Sequence, residues 1–166
     1  MKIKAVIAAV VLAALSLTGC SAPSEKGLEY LQEEEYDKAI EEFQKAVDKD
    51  DNPGDAYRGI GIAKWEQEDY EGALEAFKSA LENGAEKTGT LYNFIGCCAL
   101  RAGDASSALN YFNLGISQED NSEELLQEMK FNVVSAYDRW KTGRAPCLSF
   151  RNICRNIRTM KRRRKR

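Results

Sequence analysis

The side chains in this chain that could do chemistry fall into three groups, and none forms a convergent catalytic set. Carboxylates are the most numerous, with runs such as Glu33-Glu34-Glu35 and Glu41-Glu42. A catalytic acid pair needs two contrasting environments, whereas these runs are spaced as solvated helix faces and turns. Cys97 and Cys98 are adjacent, which admits an exported redox pair or a vicinal disulfide. Neighbouring helical side chains point about 100° apart, so packing is the simpler role, aligned with Ile62 and Ala63. The third group is Arg58, Asn93 and Trp65, whose chemistry is recognition: charged and amide hydrogen bonding beside a flat aromatic platform. His is absent from the 166 residues. That removes the commonest general base, the usual triad partner and the commonest zinc ligand. Gly59 and Gly61 lie inside a helical pattern rather than in a phosphate loop, and no spacing matches a calcium loop, although weak divalent binding to the acidic surface stays open. The expectation is a chain with no catalytic residues, no metal site and no cofactor.

The elements that must position these residues show in a repeat. Gly27, Tyr36, Ala39, Phe43 and Ala46 are matched 34 positions later by Gly61, Tyr70, Ala73, Phe77 and Ala80. With one residue inserted between Asn83 and Thr88, the series continues 35 positions on as Gly96, Ala105, Ala108, Phe112 and Gly115. In the second copy Tyr57, Ile60, Gly61 and Ala63 share one helical face. Gln67-Glu68-Asp69 turns the chain, and Tyr70, Ala73, Phe77, Ala80 and Leu81 share a second face. A hairpin of this size cannot bury its own apolar face, so stacked copies must do it for each other. Small residues at Gly61, Ala73 and Ala80 allow close helix approach, and Phe77 fills the space between hairpins.

These offsets resemble the tetratricopeptide repeat (TPR). Copy one matches at Gly27, Tyr30, Tyr36, Ala39, Phe43 and Ala46. Copy two matches at Tyr57, Gly61, Tyr70, Ala73, Phe77 and Ala80, with Ile60 in place of Leu. Copy three has Tyr92, Ile95, Gly96, Ala108 and Phe112, but Gly115 replaces the last Ala, and the closing Pro is missing from all three. The resemblance implies an all-α, right-handed solenoid of helix-turn-helix hairpins over residues 27–138, comprising three repeats and the first helix of a fourth, Gln127 to Arg139. It also implies a groove lined by the first helix of each hairpin. The matching positions are Asp55, Arg58, Ile62, Trp65 and Glu66 in copy two, and Asn93, Cys97, Leu100 and Arg101 in copy three. Trp65 has two readings, a stacking platform for a ligand or a cover for the neighbouring hairpin. The family's peptide-carboxylate clamp needs Lys and Asn at positions this chain does not reproduce.

Residues 1–19 have the layout of a secretory signal: Lys2 and Lys4, an apolar run from Ala5 to Leu15, then Leu17-Thr18-Gly19-Cys20. The run is too short for an ordinary membrane span. Leu-Thr-Gly-Cys resembles a bacterial lipobox, which implies cleavage before Cys20 and lipid on its thiol. Two or three acyl chains anchor firmly where one would be marginal. Residues 20–26 then form the lipidated Cys and a short linker. The protein is expected on the outer face of the cell membrane, or on the outer membrane where there are two, as Ser21 is not the Asp that retains lipoproteins at the inner one.

The net charge of −2 hides a partition. All 26 acidic residues lie between Cys20 and Asp138 beside ten Lys and Arg, a charge of −16, while Arg139 to Arg166 holds twelve basic residues and no acid. For the tail, residues 139–166, three readings compete: a nucleic-acid arm, a patch for anionic lipid, and an unstructured product of a shifted reading frame. Export argues against nucleic acid as a partner. The frame reading draws on the genetic code. The last base of Trp140 with the first two of Lys141 must encode Glu, the next junction Asn or Asp, and the one after allows Trp. Further junctions allow Ala and Phe four apart and a closing Pro, as in the second helix of a hairpin. The expected function is a non-enzymatic interaction module of the cell envelope, with envelope proteins or peptides and the bilayer, through Cys20, as partners. The alternative is a structural subunit of an envelope assembly.

Overall fold

The computed structural model describes residues 23–119 and 121–143. The leader, Cys20, and the tail from residue 144 onward, with Cys147 and Cys154, lie outside the described residues. The described residues form seven helices and no strand: α1 (Pro23–Gln32), α2 (Tyr36–Asp48), α3 (Pro53–Glu66), α4 (Tyr70–Glu82), α5 (Gly89–Arg101), α6 (Ala105–Ile116) and α7 (Glu123–Thr142). None of these helices is long and apolar enough to cross a membrane. Successive pairs pack as hairpins, α1 with α2, α3 with α4 and α5 with α6. The hairpins join through α2 on α3 and α4 on α5, and α7 packs on α6 and, over fewer residues, on α5. This is the all-α repeat solenoid expected from the 34-residue period.

Local chemistry accounts for the helix ends. Pro53 opens α3, where its missing N–H is not needed. Asp69, Thr88, Asp104 and Ser122 cap α4, α5, α6 and α7, each accepting from the backbone N–H three residues on. The Asp104 carboxyl is held below its ordinary range by its hydrogen bonds to Ser107. Within each hairpin the turn places one residue in the left-handed region: Glu34 (φ 64°), Glu68 (φ 64°) and Gly103 (φ 96°).

Two boundaries differ from the sequence expectation. The segment assigned to a linker at residues 20–26 is helical from Pro23 on. The last helix begins at Glu123 rather than Gln127 and continues through Arg139 to Thr142, ending at Gly143 with φ 63°. The change in charge at Arg139 is therefore not a structural boundary. Arg139 Nη1 donates to the Leu100 carbonyl at 2.7 Å, which ties this turn to α5.

The core is built on phenylalanine rings lying against glycines. Phe43, Phe77 and Phe112 are buried, and a methyl added at Gly27, Gly61 or Gly96 would come within 2.7, 2.5 and 2.5 Å of their respective ring carbons. The ring thus occupies the space a side chain on the facing helix would need. Across the joints between hairpins the packing varies. Phe43 also lies against Gly59 of α3, whereas Phe94, at the equivalent position of α5, stacks on Phe77 with centroids 5.3 Å apart. Gly61→Ala should destabilise the fold by about 1–3 kcal/mol through overpacking, since the Phe77 ring has no room to retreat. Denaturant unfolding checks this, and Phe77→Leu in the Gly61→Ala background should recover part of the loss.

Candidate interaction surface

The first helices α3 and α5 carry the residues expected to line a groove, and the structure separates them into accessible and buried sets. On α3, Asp55 and Arg58 are both partly exposed and form an ion pair at 2.8 Å. Asp55 also accepts from Asn52 Nδ2 at 2.8 Å, so both of its carboxylate oxygens are engaged. Ile62 packs partly against the central core and keeps an exposed edge. Glu66 is half-buried one turn further on.

Trp65 meets Tyr70 edge-on at 5.1 Å and Phe94 edge-on at 5.5 Å. Its ring therefore bridges to the neighbouring hairpin, the packing alternative of the two readings, while part of it stays open to solvent. Arg101 lies with its guanidinium 4.8 Å from the Tyr70 ring centre, a cation–π contact at the hairpin turn.

Asn93, Cys97 and Leu100 are placed differently from the groove expectation, since all three are buried. The cause is α7. Its Glu128 accepts from Asn93 Nδ2 at 2.9 Å, and Asn132 Nδ2 donates to Asn93 Oδ1 at 3.1 Å and to Cys97 Sγ at 3.6 Å. Asn93 is thus occupied by a neighbouring helix rather than presented to a ligand. Cys98 is also buried, so both adjacent thiols serve as packing residues.

Sequence reasoning did not single out Glu128, Asn132 or Phe94. For Asn132 a signal existed: Met129, Asn132 and Ala136 are the buried stripe of α7, and an amide on an apolar stripe calls for a buried partner. Burial pushes the Glu128 carboxyl above its ordinary range, with the Asn93 hydrogen bond opposing the shift.

The accessible set, Arg58, Ile62, Trp65 and Arg101 with Asp55, combines an apolar strip with paired and stacked cations. That arrangement suits binding. Two shallow open hollows lie at the hairpin turns, one lined by Glu34 to Lys38 and Gln67, the other by Glu68 to Glu71, Arg101 and Ala102. Among the described residues no cluster of three or more His, Cys, Asp or Glu is placed to hold a metal ion.

Stacked helical hairpins with a partly open first-helix face define a helical-repeat protein. A family model described as tetratricopeptide repeat matches residues 24–88 and again 58–122, and the chain belongs to that family. No curated protein matches. Among solved structures, the chain is similar to the type III secretion translocator chaperone SycD of Yersinia enterocolitica, with a TM-score of 0.64 and 16% identity over 76% of this chain and 92% of that one. A structure of SycD in complex with a peptide of the translocator YopD gives 0.62 and 16% over 70% and 91%. YrrB, a TPR protein with an unusual peptide-binding site, gives 0.63 and 22% over 75% and 63%. At these identities the likeness is one of fold.

Glu128 yields a pH prediction. Its folded-state affinity for a proton exceeds the unfolded one, so its ionisation costs stability above the unfolded carboxyl range, and that cost disappears as pH falls below it. Glu128→Gln keeps an oxygen acceptor for Asn93 and should melt higher than the parent at pH 7. The difference should vanish below about pH 4, measured by thermal melts across pH.

Proposed function

We propose that this chain is a non-enzymatic protein-interaction module held at the outer face of a bacterial membrane by lipid on Cys20, binding envelope proteins or peptides along its first-helix face. The observation that carries the binding half is the partly open strip of Arg58, Ile62 and Trp65, set on a rigid hairpin stack. Rigid scaffolds with flat aromatic and guanidinium groups bind without paying to order their own contacts. The structures of SycD with a YopD peptide and of YrrB, described as having a peptide-binding site, support the reading by analogy of fold.

Charge narrows the partner. The excess of acid between Cys20 and Asp138 creates a negative field that favours basic sequences. The anchoring half rests on Lys2, Lys4, the apolar run and Leu17-Thr18-Gly19-Cys20. Helix α1 begins at Pro23, so only Ser21 and Ala22 separate it from Cys20. Two residues span at most about 7 Å when extended, which would hold the first hairpin close to the headgroups.

Peptides selected on the purified protein should be basic, and their affinity should fall about tenfold or more between about 0.05 and 0.5 M salt. Equal binding at both salt concentrations, or selection of acidic peptides, sinks this reading of the partner. For the anchor, Cys20→Ser in a bacterial host should abolish labelling by radioactive palmitate and release the protein from the membrane fraction. Unchanged labelling would remove Cys20 as the lipid site.

A further inference from the structure

From the left-handed residue in each hairpin turn, the buried positions of the second helix follow at fixed offsets. Five, nine and twelve residues after Glu34 stand Ala39, Phe43 and Ala46; after Glu68, Ala73, Phe77 and Ala80; after Gly103, Ala108, Phe112 and Gly115. These are the residues that cover the first helix of the same hairpin. Helix α7 occupies the place of a fourth first helix. Its Phe131, Val134, Tyr137 and Trp140 recur every three residues and are 46, 67, 53 and 60% exposed. Among the described residues the other large hydrophobics that are exposed are Leu28 and Leu114, which stand singly. At about 100° per residue these four wind over roughly half of the helix surface, on the side turned away from the buried Met129, Asn132 and Ala136, and large apolar side chains left bare there call for a cover.

In the given sequence the three repeat positions that would follow α7 carry other residue types. Helix α7 ends at left-handed Gly143, and the same offsets then fall on Leu148, Asn152 and Arg155. Burying an amide and a guanidinium against an apolar stripe would desolvate both without partners.

We propose that the stripe on α7 is the seat of a second helix that the codons for residues 140–158 encode one base out of register, so that the chain from about Trp140 is a frame-shifted reading of a fourth hairpin. The junction of Trp140 and Lys141 must encode Glu, and that of Lys141 and Thr142 must encode Asn or Asp. The next allows Trp. Glu-Asp-Trp repeats the roles of Glu68-Asp69-Tyr70: a turn residue, an N-cap carboxylate and an aromatic at the first helical position. Five and nine residues beyond that Glu fall the junctions Ala145-Pro146 and Ser149-Phe150, which allow Ala and Phe at the two positions those residues occupy in all three hairpins. The twelfth gives Tyr or His and departs from the small residue there. With one base inserted this Glu falls at position 141, seven residues after Val134, as Glu34, Glu68 and Gly103 stand seven after Gly27, Gly61 and Gly96. The second helix would thus lie over Tyr137 and over Val134, which departs from the glycine of the other hairpins.

The test is a high-accuracy read of the gene from the Tyr137 codon past the stop, together with purified full-length protein made in both frames. The expected result is a one-base change that restores the acidic frame. The restored protein should melt higher, and amide exchange over residues 131–138 should slow about tenfold or more, which reads closure of the hairpin. Val134→Asp should lower the melting temperature of the restored protein and leave that of the given chain nearly unchanged. A gene that runs in the given frame overturns the proposal. So does a restored protein that melts no higher, or a given chain that buries the stripe in a dimer seen by light scattering.

Discussion

The rest of the structure depends on one contact, a phenylalanine ring laid flat against a glycine on the facing helix. Phe43, Phe77 and Phe112 each fill space that a Cβ at Gly27, Gly61 or Gly96 would occupy. The glycine costs helix propensity, roughly 1 kcal/mol relative to Ala, and the buried ring more than offsets it, since burying a side chain of that size contributes about 1.5–3 kcal/mol. Because the contact recurs with the repeat, it sets the distance between the two helices of every hairpin. The turn residues Glu34, Glu68 and Gly103 then only have to close a gap whose width is already determined.

Between hairpins the same period leaves more freedom, and the chain uses it. Gly59 admits Phe43 at the first joint, while Phe94 at the matching position of the second stacks on Phe77 and supports Trp65. The third joint is partly polar, with Glu128, Asn132, Asn93 and Cys97 hydrogen-bonded beneath α7 and Arg139 reaching the Leu100 carbonyl. Buried amides with defined partners specify one register of packing, because a slip by one residue would leave each of them unpaired.

This gradation bears on recognition. The end of the stack near α7 consumes its first-helix polar groups in internal contacts, whereas the middle hairpin leaves Arg58, Ile62 and Trp65 partly open. The accessible surface is thus narrower than a uniform repeat would provide, and it is centred on α3. The large apolar side chains left bare on α7 are a different kind of surface, of the sort that a terminal repeat normally shields from water.

The amino-acid sequence by itself determined the fold class, the pairing of helices into hairpins and the repeating Gly, Ala and Phe positions of the core. Gly, Ala and Phe at a 34-residue period satisfy a local rule, a small residue opposite a large one, that needs no knowledge of distant neighbours. It also showed the change in charge at Arg139, although the helix passes through that point, because backbone hydrogen bonding and the contact to Leu100 outweigh composition there. Only the tertiary structure decided which groove positions are open. Asn93, Cys97 and Leu100 stand at the same repeat positions as Arg58, Ile62 and Trp65, but α7, about one repeat further along the chain, buries the first three. Burial is a property of what packs against a face, and a repeat pattern specifies the face without specifying its neighbour.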